Sequence, residues 1–475
     1  MDWQTIVKDN NLDVSVINSS DLNEDIRFEA EFYRPEFIQI ENLLKKRGVE
    51  SYGSFIKNIQ CGPFGSTILS DSYVESGAYL ARPFNLRNCV ITDDNRVYIS
   101  EEDLKNKKLN EYNNGDIFFS RVGEIACSLV WGFGEKDKVT ISPNIIAVKT
   151  DTKKLSPFYT VIFFETKYGK GQMLRAQIVV AQPTISTQLI KSLLIPIPSI
   201  NLQNSIEKIY RAYVVALKKS ADNYREAEKL FLKEIGLFDY EVGGKNISIR
   251  NFIDCLIEDR FDAEYWQPKY DEMFCKIREK PYKKIGDIAN VETGQYISEY
   301  VEKGADTKSF IRGTDVSQYE IDTNSLLFVR VSDQKKKHVA KKDDVVVARV
   351  GSIGLCARIQ DNLVGSTISD NLIAIRTKAD IEMSSYYLTV YLNSFVGQEF
   401  MKRLSRGSVQ QRLNQETLKE LPVPILDIDI QYKIEKMVID GHLAKNEAKD
   451  LFEKAKRAVE IFIEQDEEKA LSFIQ

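Results

Sequence analysis

The chain has 475 residues, 43% of them hydrophobic and 28% charged, with a net charge of −5 at pH 7. That is the composition of an ordinary globular protein long enough for several domains, and its mild acidity excludes a generally basic nucleic-acid binder while leaving local basic surfaces open. Two histidines, His338 and His442, and six scattered cysteines without a CxxC pair argue against a zinc cluster and a disulfide framework.

The start, "MDWQTIVKDN", has no basic-then-apolar leader, and no apolar run reaches membrane-spanning length. A soluble, cytoplasmic protein is expected. After an N-terminal segment, 1–26, a first domain is expected over 27–200. It opens with "RFEAEFYRPEF" (27–37), and Phe37, Ile40, Leu43 and Leu44 form a helical stripe. "DIFFS" (116–120) is a short buried strand, "RVGEI" (121–125) a glycine turn, and "NIIAVK" (144–149) another strand. An aromatic-rich helix over 156–176 and a short helix follow, and Pro196 closes the domain. Residues 201–236 form a long polar helix and 237–258 a linker.

The second domain, 259–428, repeats the first block by block. "RFDAEYWQPKY" (260–270), "DVVVA" (344–348), "RVGSI" (349–353), "NLIAIR" (371–376), a helical 384–405 and Pro424 return in the same order. A second long helix, 429–467, and a tail, 468–475, complete the chain. The junction "LLIPIPSINLQNSIEKI" (193–209) returns as "LPVPILDIDIQYKIEKM" (421–437), identical at 8 of 17 positions at an offset of 421 − 193 = 228. Residues 62–112 and 294–340 do not align, so the repeat is expected to share a scaffold and vary in the middle.

The second long helix carries a heptad seam of small and apolar residues: Met437, Gly441, Ala444, Ala448, Leu451, Ala455, Ala458 and Phe462. The same offset gives a weaker seam on the first helix: Ile209, Tyr213, Ala216, Ser220, Asn223, Ala227 and Leu230. Small seam residues allow close approach, and the domain between the helices favours an antiparallel pair. The fold expected is two mixed α/β (α+β) globular domains in tandem, separated by two long helices forming an antiparallel coiled coil, with a pseudo-twofold internal repeat. The competing expectation is that each helix packs on its own domain.

With "SRVGEIA", "ARVGSIG" and the two junctions in this duplicated order, nearly the whole chain resembles the specificity subunits of type I restriction-modification enzymes. The resemblance implies that each domain is a target recognition domain reading one half of a bipartite, asymmetric DNA site. The helices would set the spacer and dock two methyltransferase subunits, which restriction/translocase subunits join. It implies no catalysis and no cofactor in this chain, with S-adenosylmethionine, ATP and Mg²⁺ used by partners, and adenine as the base modified. One departure is Pro198, whose counterpart is Leu426.

The residues themselves supply candidates for phosphate and base contacts. Basic segments contain Arg175, Lys335, Lys336, Lys337, Arg403, Arg406 and Arg412. Arg121 and Arg349 stand beside equivalent glycine turns. Gln182, Gln295, Gln410 and Gln411 suit adenine by bidentate geometry. The glycine-led loops "CGPFGST" (61–67) and "ETGQYIS" (292–298) hold corresponding places. Each candidate has a plainer reading, a solvated loop or a structural ion pair. No methyltransferase or P-loop motif is present. The alternatives are a single-chain DNA endonuclease with internal recognition domains, which needs a carboxylate metal cluster that does not stand out in the sequence, and a coiled-coil adaptor that binds no nucleic acid.

Overall fold

The run Ile117–Ser120 is buried at every position, and its alternate side chains enter two different cores. Ile117 and Phe119 join the main core with Tyr52 and Phe164, while Phe118 joins a second core with Tyr79 and Val139. A strand covered on both faces needs no polar alternation, which explains its continuous apolar sequence. Its repeat partner behaves likewise: Val345 and Val347 enter one core, Val346 and Ala348 another.

The computed structural model describes residues 30–134, 136–176, 184–240, 247–407 and 411–475. They form two units. Unit 1 comprises the residues up to Leu217 together with Asn446–Gln475, and unit 2 comprises Lys218–Lys445. Each unit therefore holds one globular domain and a part of each long helix. Among the described residues, no helix is long and apolar enough to cross a membrane.

Unit 1 begins with α1 (Pro35–Lys45), β1 (Val49–Ser51), β2 (Ile56–Cys61), β3 (Tyr73–Val74), β4 (Ala78–Ala81), β5 (Leu86–Arg87), β6 (Cys89–Ile91) and β7 (Tyr98–Ile99). It continues through α2 (Glu101–Asn106), β8 (Ile117–Ser120), β9 (Cys127–Leu129), β10 (Val139–Ile141) and β11 (Ile145–Thr150). Then come α3 (Pro157–Glu165), α4 (Lys167–Ala176), α5 (Thr187–Ser192), β12 (Leu194–Pro196) and the long α6 (Ile200–Glu234). The main sheet runs β2-β11-β8-β9-β6-β5, and a second sheet runs β10-β4-β7-β3. All nine residues of α3 are buried, as suits a helix apolar on every side.

Unit 2 holds α7 (Phe252–Glu258), α8 (Pro268–Arg278), β13 (Tyr282–Lys284), α9 (Ile285–Ile288), β14 (Ala289–Thr293), β15 (Thr307–Ile311), β16 (Val316–Ser317), β17 (Glu320–Ile321) and β18 (Leu327–Arg330). Next are β19 (Val345–Ala348), β20 (Cys356–Arg358), β21 (Thr367–Ile368), β22 (Leu372–Thr377), α10 (Ser385–Asn393), α11 (Phe395–Leu404), α12 (Gln415–Lys419) and β23 (Pro422–Pro424). The long α13 (Ile428–Glu464) starts here, and α14 (Glu467–Ile474) ends the chain. The sheets are β14-β22-β19-β20 and β18-β15-β21, with the pairs β16-β17 and β13-β23.

The middle that does not align by eye is in part the same structure. "RPFNLRNCVI" (82–91) and "RGTDVSQYEI" (312–321) form the same capped turn into a two-stranded ribbon. Asn85 accepts from the Arg82 N–H at 3.2 Å, and Asp315 accepts from the Arg312 N–H at 2.8 Å. The peptides beyond close alike, Thr92 N–H to Asn85 O and Asp322 N–H to Asp315 O, both at 2.8 Å. Only the cap geometry survives there, so identity is too low to see. The middles then diverge: unit 1 inserts α2, and unit 2 places a lysine-rich turn, Lys336–His338.

The long helices pair in an antiparallel sense. In unit 1 the Tyr213 ring stacks on Phe452, centroids 5.1 Å apart. In unit 2 the Tyr224 hydroxyl meets Nδ1 of His442 at 2.9 Å. Seam residues Ile209, Tyr213, Ala216, Ala227, Gly441, Ala444, Ala448, Ala455, Ala458 and Phe462 are buried, while Leu230, Met437 and Leu451 are half-buried. The repeat maps one contact onto the other: 213 + 228 = 441 and 224 + 228 = 452. Where unit 1 has a ring on a ring, unit 2 has Gly441 beneath Tyr224. A Cβ on Gly441 would come within 2.8 Å of that ring, which stacks instead on Tyr319 at 4.7 Å. α6 also packs on both globular domains, Tyr210 against Phe158 in unit 1 and Phe231 against Tyr391 in unit 2. The antiparallel pairing is therefore met, while each long helix packs on both domains rather than on its own alone, and the buried stripe is wider than a two-position seam.

Candidate nucleic-acid interface

Each unit brings three loops together at one sheet edge. In unit 1, the loop after β2 starts at Gly62, whose N–H donates to Ile145 O at 2.9 Å. A Cβ there would lie 2.0 Å from Ser142 O, so the two backbones touch and only glycine fits. Beside it, Arg121 N–H donates to Asn144 O at 2.8 Å, and Arg121 O accepts from Ile185 N–H at 2.9 Å. Unit 2 repeats each link. Gly294 N–H donates to Leu372 O at 3.0 Å, and its Cβ would lie 2.2 Å from Ser369 O. Arg349 N–H donates to Asn371 O, and Arg349 O accepts from Leu413 N–H, both at 3.0 Å. The glycine loop, the arginine turn and the loop after α4 or α11 thus converge in each unit.

In unit 2 this edge is densely polar. Gln295 is 8% exposed, and its amide is engaged by the protein's own backbone. Its Nε2 donates to Asp333 O at 2.6 Å, and its Oε1 accepts from the Lys335 N–H at 2.9 Å. Gln295 therefore fastens the basic turn to the glycine loop, and Lys335, Lys336 and Lys337 stand on that turn beside it. Burial, then the neighbouring Lys337 charge, holds the His338 imidazole below its ordinary pKa. Arg349 donates through Nη1 to Asp370 O at 3.3 Å, and its buried Nε has no hydrogen-bond partner among the described residues. Gln411, Lys402, Gln398, Glu399 and the turn 351–353 line a cleft of about 500 Å³. Exposed Arg412 closes the loop through paired backbone bonds with Arg406, 2.8 and 3.0 Å.

Other candidates are held within the units. Arg175 donates to Phe32 O at 2.8 Å, lies over the Phe32 ring and pairs with Glu41. Burial pushes the Glu41 carboxyl up, but Lys45 and Arg175 outweigh it and hold its pKa below the usual value. Arg403 donates to Tyr265 O at 3.1 Å with its guanidinium over that ring. Arg406 pairs with Asp259 at 3.0 Å. Arg121 is exposed on its turn. Gln182 and Gln410 lie outside the described residues. The sequence places Lys402 in the acid-free basic segment 400–415, but gives no sign of the cleft it lines or of the unpartnered Nε of Arg349. Their signal lies in tertiary contacts.

Comparison with known proteins bears on this geometry. A family model described as the type I restriction modification DNA specificity domain matches residues 278–439, which include Gln295, Arg349 and Gln411. The type I restriction enzyme EcoBI specificity subunit of Escherichia coli is 27% identical over 143 residues, 29% of this chain and 30% of that protein. The chain thus matches under a third of that relative's length. The crystal structure of a type I restriction-modification S subunit from M. genitalium aligns with 88% of this chain and 95% of its own, at 12% identity and TM-score 0.43. The HsdS subunit from Thermoanaerobacter tengcongensis aligns with 88% of this chain and 97% of its own, at 12% identity and TM-score 0.29. The resemblance carried by the duplicated motifs is shown: residues 278–439 match the DNA specificity domain of type I restriction-modification systems.

Proposed function

We propose that this chain is the DNA-reading subunit of a type I restriction-modification complex. Its two domains read the two halves of a bipartite, asymmetric site. The observation that carries this reading is the duplicated interface: two units present the same glycine loop and arginine turn, with different residues around them. Shared backbone geometry with changed side chains is what two readers of two different half-sites need. The paired helices set the spacer and dock two methyltransferase subunits. Restriction/translocase subunits join that assembly, and the chemistry of S-adenosylmethionine, ATP and Mg²⁺ belongs to those partners. This chain itself is non-catalytic in this reading.

Mapping methylated adenines in cells that express the chain with its methyltransferase tests the proposal. A single bipartite, asymmetric motif is expected. A contiguous motif, or DNA cleavage by the purified chain with Mg²⁺ alone, would overturn it.

A further inference from the structure

Two large aromatic side chains stand almost fully in water at equivalent points of the two units. Phe64 is 88% exposed and Tyr296 is 73% exposed. Each lies two residues after the glycine whose backbone is pressed onto the neighbouring loop, Gly62 in unit 1 and Gly294 in unit 2. The two loops, "CGPFGST" and "TGQYISE", otherwise share little. A free loop would fold such a ring against its own surface, because an exposed ring leaves apolar area in water. Here the glycine contact fixes where each loop leaves the sheet. In unit 1 a turn closed by Thr67 N–H to Phe64 O at 2.8 Å holds the next residues. In unit 2 the buried Gln295, directly before Tyr296, is anchored by its amide to the backbone of Asp333 and Lys335.

We infer that Phe64 and Tyr296 are the aromatic contact each unit makes with duplex DNA, the ring pressing against the base stack at a step of its half-site. This rests on the DNA-reading function proposed above. Base faces are apolar and planar, and proteins that deform DNA insert apolar side chains between base steps. The polar neighbours fit the same ligand: Arg121 stands at the unit 1 edge, and Lys335, Lys336 and Arg349 at the unit 2 edge, where they can hold phosphates. The ring supplies what those cations lack, an interaction that depends on the bases. A hydroxyl is present in one unit and absent in the other, so the ring is the working group.

The test uses the full chain in complex with its methyltransferase, and a duplex carrying the mapped site. Phe64→Ala and Tyr296→Ala should each weaken binding roughly 10-fold or more, the scale of removing one aromatic ring from a base. The salt dependence of binding should not change, because every phosphate keeps its cation. Phe64→Tyr and Tyr296→Phe should bind nearly as tightly as the parent chain. Methylation should become permissive at one half-site in Phe64→Ala and at the other in Tyr296→Ala. Melting temperatures should match the parent chain. Parent-like affinity in both alanine variants, or a fall in melting temperature that accounts for the weaker binding, would overturn the inference alone. Failure of the parent complex to bind any duplex would overturn the functional reading beneath it.

Discussion

Gln203 and Ser156 are joined across the junction between the unit 1 globular domain and α6: the Gln203 Oε1 accepts from the Ser156 N–H at 2.7 Å. Its Nε2 donates to Pro198 O at 3.0 Å. Gln431 makes the same pair of bonds in unit 2, to the Ser384 N–H at 3.1 Å and to Leu426 O at 3.0 Å. One buried amide therefore ties the first turn of the long helix to the start of a core helix and to the chain two residues after Pro196 or Pro424. A tyrosine completes the joint, Tyr159 to Pro196 O at 2.8 Å and Tyr387 to Pro424 O at 2.7 Å. The bond to residue 198 or 426 uses only the backbone carbonyl, so the leucine that stands for Pro198 in the second junction leaves it intact.

Gln203→Leu and Gln431→Leu should each destabilise the chain by about 1–3 kcal/mol, since each leaves a buried N–H and a carbonyl without a partner. Urea unfolding of the full chain measures this. Parent-like stability in both variants would show that the amide clamp does not hold the joint.

Gly441→Ala should destabilise in spite of its better helix propensity. Alanine gains about 1 kcal/mol over glycine in a helix interior, and overpacking against the Tyr224 ring costs typically about 1–3 kcal/mol. The double variant with Tyr224→Leu should recover stability, and a double-mutant cycle reads the coupling. Phe452→Ala, at the repeat-related position, should cost roughly 3 kcal/mol as a cavity under Tyr213.

Glu320 predicts a pH dependence. Burial alone pushes its carboxyl up, but His442 and Lys445 outweigh this and hold it below its ordinary value of 4.5. The unfolded chain then takes up the proton first as pH falls, so this stabilisation is present above pH 4.5 and is lost as pH drops through the lower folded value. Lys445 meets Glu320 at 2.5 Å but is partly exposed. Lys445→Met should therefore cost only about 1 kcal/mol at neutral pH and flatten the acid limb of the stability profile. An unchanged acid limb would show that the pair does not contribute.

Replacing Lys335, Lys336 and Lys337 together by alanine should weaken DNA binding and lower the slope of log affinity against log salt by up to about 0.9 for each phosphate no longer neutralised. Gln295→Ala should weaken binding with a smaller change of slope, because it frees the turn that carries these lysines without removing a charge. Arg175→Ala should lower melting temperature and leave the slope unchanged, because its guanidinium lies between Phe32 and Glu41.

The repeat was legible because the scaffold positions carry strong local demands. Glycine at 62 and 294, glutamine at 203 and 431, and the apolar strands Ile117–Ser120 and Val345–Ala348 each meet a steric or burial requirement that few other residues satisfy. Tandem mixed domains, long paired helices and the family resemblance followed from these. The role of individual polar residues was not legible. Gln295 and Arg175 have the composition of a DNA contact, yet one anchors a backbone and the other pairs with Glu41. Residue type states what bonds a side chain can make; only packing decides which partner is within reach. The tertiary structure likewise decided that Gly441 answers Tyr224 as Phe452 answers Tyr213, because that complementarity joins segments more than 200 residues apart. By itself, the sequence determined that the chain is one scaffold written twice; the contacts brought together by folding decided which side chains remain at the surface to meet a ligand.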